Sequence, residues 1–185
     1  KKIELKNANL HIDLITKQHN NVQKEYIDLT SLFENYTNTI PTKFHSQLSL
    51  ANSRARIRMT TLYQIAGSKN GLVVGTGNKI EDFGIGFFTK YGDGGVDISP
   101  IADLLKSQVF ELGNHLNLPK EILSATPTDG LWEDGRNDED QIGASYDEIE
   151  WAMNRDSDDI NSETNNREEE VIGIFKSLNT KNMHK

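Results

Sequence analysis

Cysteine is absent from all 185 residues, and that removes disulfide bridges, thiolate zinc sites and cysteine nucleophiles together. The absence agrees with a reducing cytoplasm, the expected location. Long apolar runs are lacking as well. No stretch approaches the roughly 18 residues that cross a bilayer, and Lys1-Lys2-Ile3-Glu4 is charged with no apolar signal region behind it. Neither a membrane partner nor export is expected. Positive charge is in deficit: 20 Lys and Arg against 28 Asp and Glu leave a formal charge of -8, the wrong sign for a nucleic-acid reader. Apolar residues are few, at 35%. With 14 glycines and 26% charged residues, the composition fits one loop-rich soluble domain over residues 1–185 rather than a disordered chain.

Periodicity predicts a helix over residues 3–18, a short strand at Tyr26–Leu29, and a helix from Thr30 or Ser31 through Tyr36, with Ser31 and Glu34 spaced as a capping box. Pro41 opens a linker. A long helix follows from Leu48 to Ala66, with Leu50, Ile57, Leu62 and Ile65 inward and Gly67 as C-cap. Arg54, Arg56 and Arg58 alternate along it and cannot share one face, so at least one must turn towards the interior or a partner. Leu72–Thr76 reads as a strand. Further helices are predicted from Pro100 or Ala102 to Leu116, after Pro119, at Asp138–Gly143, at Ser145–Met153 with Ser145 and Glu148 as a capping box, and at Glu168–Leu178. Residues 154–166 have almost no apolar content and are expected to be mobile. The acidic residues Glu133, Asp134, Asp138, Glu139, Asp140, Asp147, Glu148, Glu150, Asp156, Asp158 and Asp159 read as a solvated flank. The alternation of elements indicates an α/β domain with a parallel sheet, although only two strands are evident.

The segment from Gly75 to Pro100 carries the most information. Gly75-Thr76-Gly77-Asn78-Lys79-Ile80-Glu81 leaves the carboxyl end of a predicted strand, where open α/β sheets bind ligands. Glycines admit a ligand to the backbone, Thr76 offers a hydroxyl, and Glu81 on the first turn of a helix could hold magnesium through one carboxylate. An ordinary tight turn is the competing reading. Further on, Lys90, Asp93 and Asp97 place one cation and two carboxylates among glycines, beside Phe87, Phe88 and Tyr91. Three aromatics would waste apolar area in a purely solvated loop.

Together, GTGNKIEDFGIGFFTKYGDGGVDISPIADLLKSQVFELG, the preceding NSRARIRMTTLYQIA, and the later TPTDGLW and DEDQIGASYDEIE resemble the ammonia-dependent NAD synthetases, in that family's order along the chain. The resemblance implies an adenine nucleotide α-hydrolase-like, Rossmann-like three-layer fold with a parallel sheet. It also implies Mg2+ with ATP, a homodimer, and deamido-NAD and ammonia as the other substrates. By the same resemblance, Thr76, Lys106 and Thr128 meet ATP and Glu81 is the magnesium ligand. Arg56, Lys90, Asp93, Asp97, His184 and Lys185 meet deamido-NAD.

Two departures qualify this. The family's SGGxDS phosphate loop does not occur in the sequence, so the chain is expected to be a carboxyl-terminal portion, inactive alone, without the amino-terminal strand or strands. The stretch before the aromatic pair is also one residue longer than in other members. Counting forward from Gly75 selects Glu81 as metal ligand, and counting back from Phe88 selects Asp82; Glu81 is preferred. The alternative of another class is a pseudoenzyme or dinucleotide-binding dimerisation module.

Overall fold

Side-chain caps set where most of the helices start. The computed structural model describes residues 2–132, 134–155 and 164–185. Its helices are α1 (Lys2–Gln18), α2 (Thr30–Thr39), α3 (Gln47–Ser68), α4 (Lys106–His115), α5 (Lys120–Leu123), α6 (Asp138–Ile142), α7 (Tyr146–Asn154) and α8 (Asn166–Asn182). Ser46 and Ser49 bond reciprocally before α3, Asn137 and Asp140 do so before α6, and Ser145 and Glu148 form the expected box before α7. Asn165 accepts from two backbone N–H groups and opens α8. Residues 156–163 of the segment expected to be mobile lie outside the described residues, as do Glu133, Asp156, Asp158 and Asp159 of the acidic run.

Several boundaries differ from the sequence reading, each through an identifiable bond. The Ser31/Glu34 box does not form, because Asp28 Oδ1 takes the Thr30 N–H at 2.9 Å and starts α2 earlier. Gly67 is not a C-cap: α3 runs through Ser68, and the N–H groups of Lys69 and Gly71 both close on Ala66 O. The helix expected from Pro100 starts only at Lys106. Residues 101–104 form turns instead, and Leu104 O accepts the Lys79 N–H at 2.9 Å. On α3, Leu62 is exposed and the buried positions are Ala51 and Ala55. A Cβ on Gly92 would come within 2.9 Å of the Ala55 Cβ, so small residues there let a loop lie directly on the helix.

The expected sheet is represented, among the described residues, by one parallel bridge between Val74 and Ile98. Asp97 N–H donates to Val73 O at 2.9 Å and Gly75 N–H to Ile98 O at 2.7 Å. Tyr26–Leu29 forms no strand. Leu72, Val74 and Ile98 are exposed, so the bridged segments have no apolar layer over those side chains.

The main core gathers Ile80, Ile85, Ile142, Tyr146, Ile149 and Val171 between α7, α8 and the turn at Ile80–Gly84. A smaller one joins Ala51 and Ala55 to Leu131 and Trp132. Burying each large aliphatic side chain contributes about 1.5–3 kcal/mol, so the larger cluster fixes the turn from which the site is built. Among the described residues no helix is long and apolar enough to cross a membrane.

Candidate active site

Asn78 is buried, and its Oδ1 accepts the N–H groups of Ile80 and Glu81 at 3.0 and 3.1 Å. It thereby caps the following turn and directs Glu81 inward. That turn, Ile80–Gly84, is a wide π-type turn rather than the expected first turn of an α-helix, closed by Ile85 N–H on Ile80 O at 2.9 Å. Glu81 Oε1 accepts from Lys106 Nζ at 2.9 Å and from the Tyr146 hydroxyl at 2.7 Å. Oε2 takes no bond among the described residues. The Lys106 ammonium lies 4.5 Å from the centre of the Tyr146 ring.

Behind this pair sits Asp138, buried rather than part of a solvated flank. Its Oδ1 accepts the Asp129 N–H at 3.1 Å, and its Oδ2 is 3.4 Å from the Tyr146 hydroxyl. Burial, then the carboxylates of Asp129 and Glu81, push its pKa up to about 6. Burial, then the neighbouring acids Glu81 and Asp138, raise the Tyr146 phenol, which stays a proton donor. Glu150 is a second buried acid in the supposedly solvated flank. It accepts from Ser107 N–H at 2.8 Å and Ser107 Oγ at 2.7 Å, capping α4 from α7. This bond fixes where α4 begins and so where Lys106 stands.

On the far side, Asp82 faces an open cleft of about 380 Å³ lined also by Phe83, Phe88, Asp93 and Lys185. Its carboxyl is raised to about 6, mainly by burial and then by Glu81. A Cβ on Gly77 would meet Asp82 oxygens at 2.3–2.4 Å, so any larger residue there would displace this carboxylate. Lys185 Nζ donates to Gly86 O at 2.6 Å and Phe88 O at 2.7 Å. Burial lowers its pKa.

The residues singled out from sequence fall into separate sets. Glu81 and Lys106 are joined directly. Thr128 is exposed, accepting from Gly130 N–H at 3.3 Å and donating to Arg136 O at 3.5 Å, and makes no direct bond to that pair among the described residues. Thr76 stands exposed between Gly75 and Gly77 with no bond among the described residues. Arg56 Nε donates to Lys90 O at 3.1 Å, Lys90 Nζ donates to His184 O, and Asp93 Oδ1 accepts the Thr89 N–H at 3.0 Å. These residues and Lys185 therefore surround one loop. Asp97 is apart from them: it accepts from Val73 N–H at 2.8 Å and from the Tyr63 hydroxyl at 3.1 Å, tying the bridged segments together. Arg54, not Arg56, makes the inward contact from α3, donating to Leu131 O while its guanidinium covers the Phe33 ring.

Among the described residues no group of three or more His, Cys, Asp or Glu is placed to hold a metal ion. The arrangement instead suits a cation held by one carboxylate oxygen and by ligand phosphates, which is how Mg2+ commonly binds. Tyr146, Asp138, Asn78 and Glu150 were not found from sequence. Asn78 stood in the GTGN string three positions before Glu81, a spacing suited to capping. For the others only proximity in the fold reveals the contact.

The fold is shared with solved synthetases of nicotinamide nucleotides. The chain superposes on the NMN synthetase of Francisella tularensis with a TM-score of 0.82, at 31% identity over 100% of this chain and 70% of that one. The NH3-dependent NAD synthetase of Campylobacter jejuni gives 0.67 at 29% identity, over 95% of this chain and 68% of that one. The chain belongs to the NAD synthase family, whose model matches residues 5–185. It is 40% identical over 165 residues to the NH(3)-dependent NAD(+) synthetase of Carboxydothermus hydrogenoformans, covering 89% of this chain and 62% of that protein. With that of Alkaliphilus metalliredigens it shares 42% over 146 residues, 79% of this chain and 55% of that protein. The chain thus spans about three fifths of the length of these relatives.

Proposed function

We propose that this chain is part of the synthetase domain of a cytoplasmic, homodimeric ammonia-dependent NAD synthetase, which amidates deamido-NAD at the expense of ATP. The nicotinate carboxylate oxygen attacks the α-phosphorus of ATP and pyrophosphate leaves; ammonia then attacks the acyl carbon and AMP leaves, giving the amide. The observation that carries the reading is the Glu81–Lys106 pair at 2.9 Å, with the second carboxylate oxygen of Glu81 open. Lys106, Thr76 and Thr128 bind ATP, the lysine passing from Glu81 to the phosphates. Glu81 holds Mg2+, which when bound balances charge on the departing pyrophosphate. Arg56, Lys90, Asp93, Asp97, His184 and Lys185 bind deamido-NAD, with the Lys90 and Lys185 ammonium groups countering its phosphates.

The Val74/Ile98 bridge is read as part of the family's parallel sheet, a reading supported by the exposed apolar side chains along it. Exposed Leu32 and Tyr36 on α2 and Phe44 and Leu48 before and on α3 support a second copy packing there. A second reading, amidation of the mononucleotide, is favoured by the TM-score of 0.82 to an NMN synthetase. The test is turnover by the full-length protein with ATP, Mg2+ and ammonium chloride, comparing kcat/KM for deamido-NAD and for nicotinate mononucleotide. Equal amounts of NAD and AMP from the dinucleotide are expected. Preference for the mononucleotide would move the assignment to the second reading, and no amide from either would refute both.

A further inference from the structure

We propose that Tyr146 is the positioning residue for Glu81, holding the carboxylate by one oxygen so that the other is presented to the cation. The inference rests on the reading of Glu81 as the metal ligand and adds a residue to it. Both bonds to Glu81, from Tyr146 at 2.7 Å and from Lys106 at 2.9 Å, fall on Oε1, and none among the described residues falls on Oε2. The two donors differ in what they can do next. Lys106 carries the charge that phosphate would attract, so its bond to Glu81 is exchanged when a polyphosphate arrives. The phenol is neutral, and it remains.

Tyr146 is also immobile. It is buried in the main core and occupies the first position of α7, directly after the Ser145 cap. Its backbone N–H donates to Glu139 Oε1 at 2.9 Å. The rotamer is thus fixed at both ends, by packing around the ring and by the cap at its backbone. A ligating carboxylate on a short turn has several rotamers available, and an outer donor that selects one commonly changes metal affinity 10–100-fold. Asp138, 3.4 Å from the same hydroxyl, is the more distant acceptor, so the single phenolic proton lies on the Glu81 side.

The experiment uses the full-length protein with Mn2+ and a non-hydrolysable ATP analogue. Binding is measured by water-proton relaxation, which requires no turnover. Tyr146→Phe keeps the ring and its contact with Lys106, and it is expected to weaken Mn2+ binding about 10-fold while its melting curve remains cooperative. Glu81→Gln is expected to weaken binding at least as much. In the double variant the phenylalanine should add less than 2-fold, because the hydroxyl has no carboxylate left to position. If Glu81→Gln binds Mn2+ normally, the reading of Glu81 as ligand fails. If Glu81→Gln loses binding while Tyr146→Phe keeps it within 2-fold, or if the two effects multiply in the double variant, Glu81 remains the ligand and the inference about Tyr146 is overturned.

Discussion

Glu150 makes the sharpest test of how the site is held, because it acts on a helix other than its own. Its two oxygens accept from Ser107 N–H at 2.8 Å and Ser107 Oγ at 2.7 Å, so a carboxylate on α7 closes the amino end of α4. Glu150→Ala removes both acceptors and leaves the Ser107 N–H without a protein partner. A charged hydrogen bond contributes roughly 1.5–3 kcal/mol and a carboxylate at a helix amino terminus a further 0.3–1 kcal/mol or so. Because the bonds share one group, a total of about 3 kcal/mol is expected. Glu150→Gln keeps an acceptor for the N–H and offers an NH2 to the serine oxygen, losing only the charge, at about 1 kcal/mol. With a urea slope of about 2 kcal/mol/M, the midpoints should fall by about 1.5 M for alanine and about 0.5 M for glutamine. Since Lys106 begins this helix, the alanine variant should also raise KM for ATP several-fold and leave KM for the dinucleotide unchanged. Equal losses in both variants, or less than about 0.5 M for alanine, would refute the idea that this carboxylate caps α4.

Three further expectations follow from the geometry. Gly86 has φ of +60°, and an added Cβ would lie 2.4 Å from the Asn182 Cβ; Gly86→Ala should therefore cost more than about 1 kcal/mol in urea unfolding and free the end of α8 to proteolysis. Arg167 holds the Glu148 carboxyl down to about 2. This stabilisation is full above the ordinary glutamate pKa and disappears as pH falls from about 4.5 towards 2, so Glu148→Gln should lag wild type by at most ~1 kcal/mol at neutral pH and match it near pH 2. Asp138 has the opposite sign. Its pKa near 6 means that burial of the charge weakens the fold above that pH, so wild type should gain stability over Asp138→Asn as pH drops from 7 towards 4, and a flat difference would exclude a buried, raised carboxyl.

What the sequence revealed was local. The Ser145/Glu148 box and the helix after Pro119 each depend on residues within a few positions, and both stand where the pattern put them. The late start of α4 and the reduced sheet depend on distant partners: Leu104 O is held by Lys79 N–H, and Val74 meets Ile98 across the ligand loop. No window along the chain contains those bonds. The same division runs through the site. The family resemblance singled out Glu81 and Lys106, which the fold brings together, while Tyr146 reaches Glu81 from 65 positions away. Asp138 and Glu150 were misread because an acidic run has the same composition whether its members face water or cap another helix.

The wide turn at Ile80–Gly84 falls in the stretch before the aromatic pair, where the family resemblance implies one residue more than in other members. At its start Asn78 Oδ1 caps the N–H groups of Ile80 and Glu81, and Asn78 O takes the Asp82 N–H at 2.9 Å with the four-residue spacing of an α-helix. The widening comes afterwards, where Ile85 N–H reaches back five residues to Ile80 O and Phe87 N–H reaches Glu81 O at 2.7 Å. A single inserted residue is what a π-type turn accommodates within helical backbone, and such turns gather at functional sites. Glu81 thus lies before the widening, in the part of the turn that Asn78 caps. The result is a division of labour between adjacent acids. Glu81 turns to Lys106 and Tyr146, and Asp82 turns to the cleft beside Gly77. An α-helical turn of the same length would rotate Phe87 and Phe88 relative to Glu81. The wide turn lets the glutamate keep its lysine while the loop that follows keeps its place against α3.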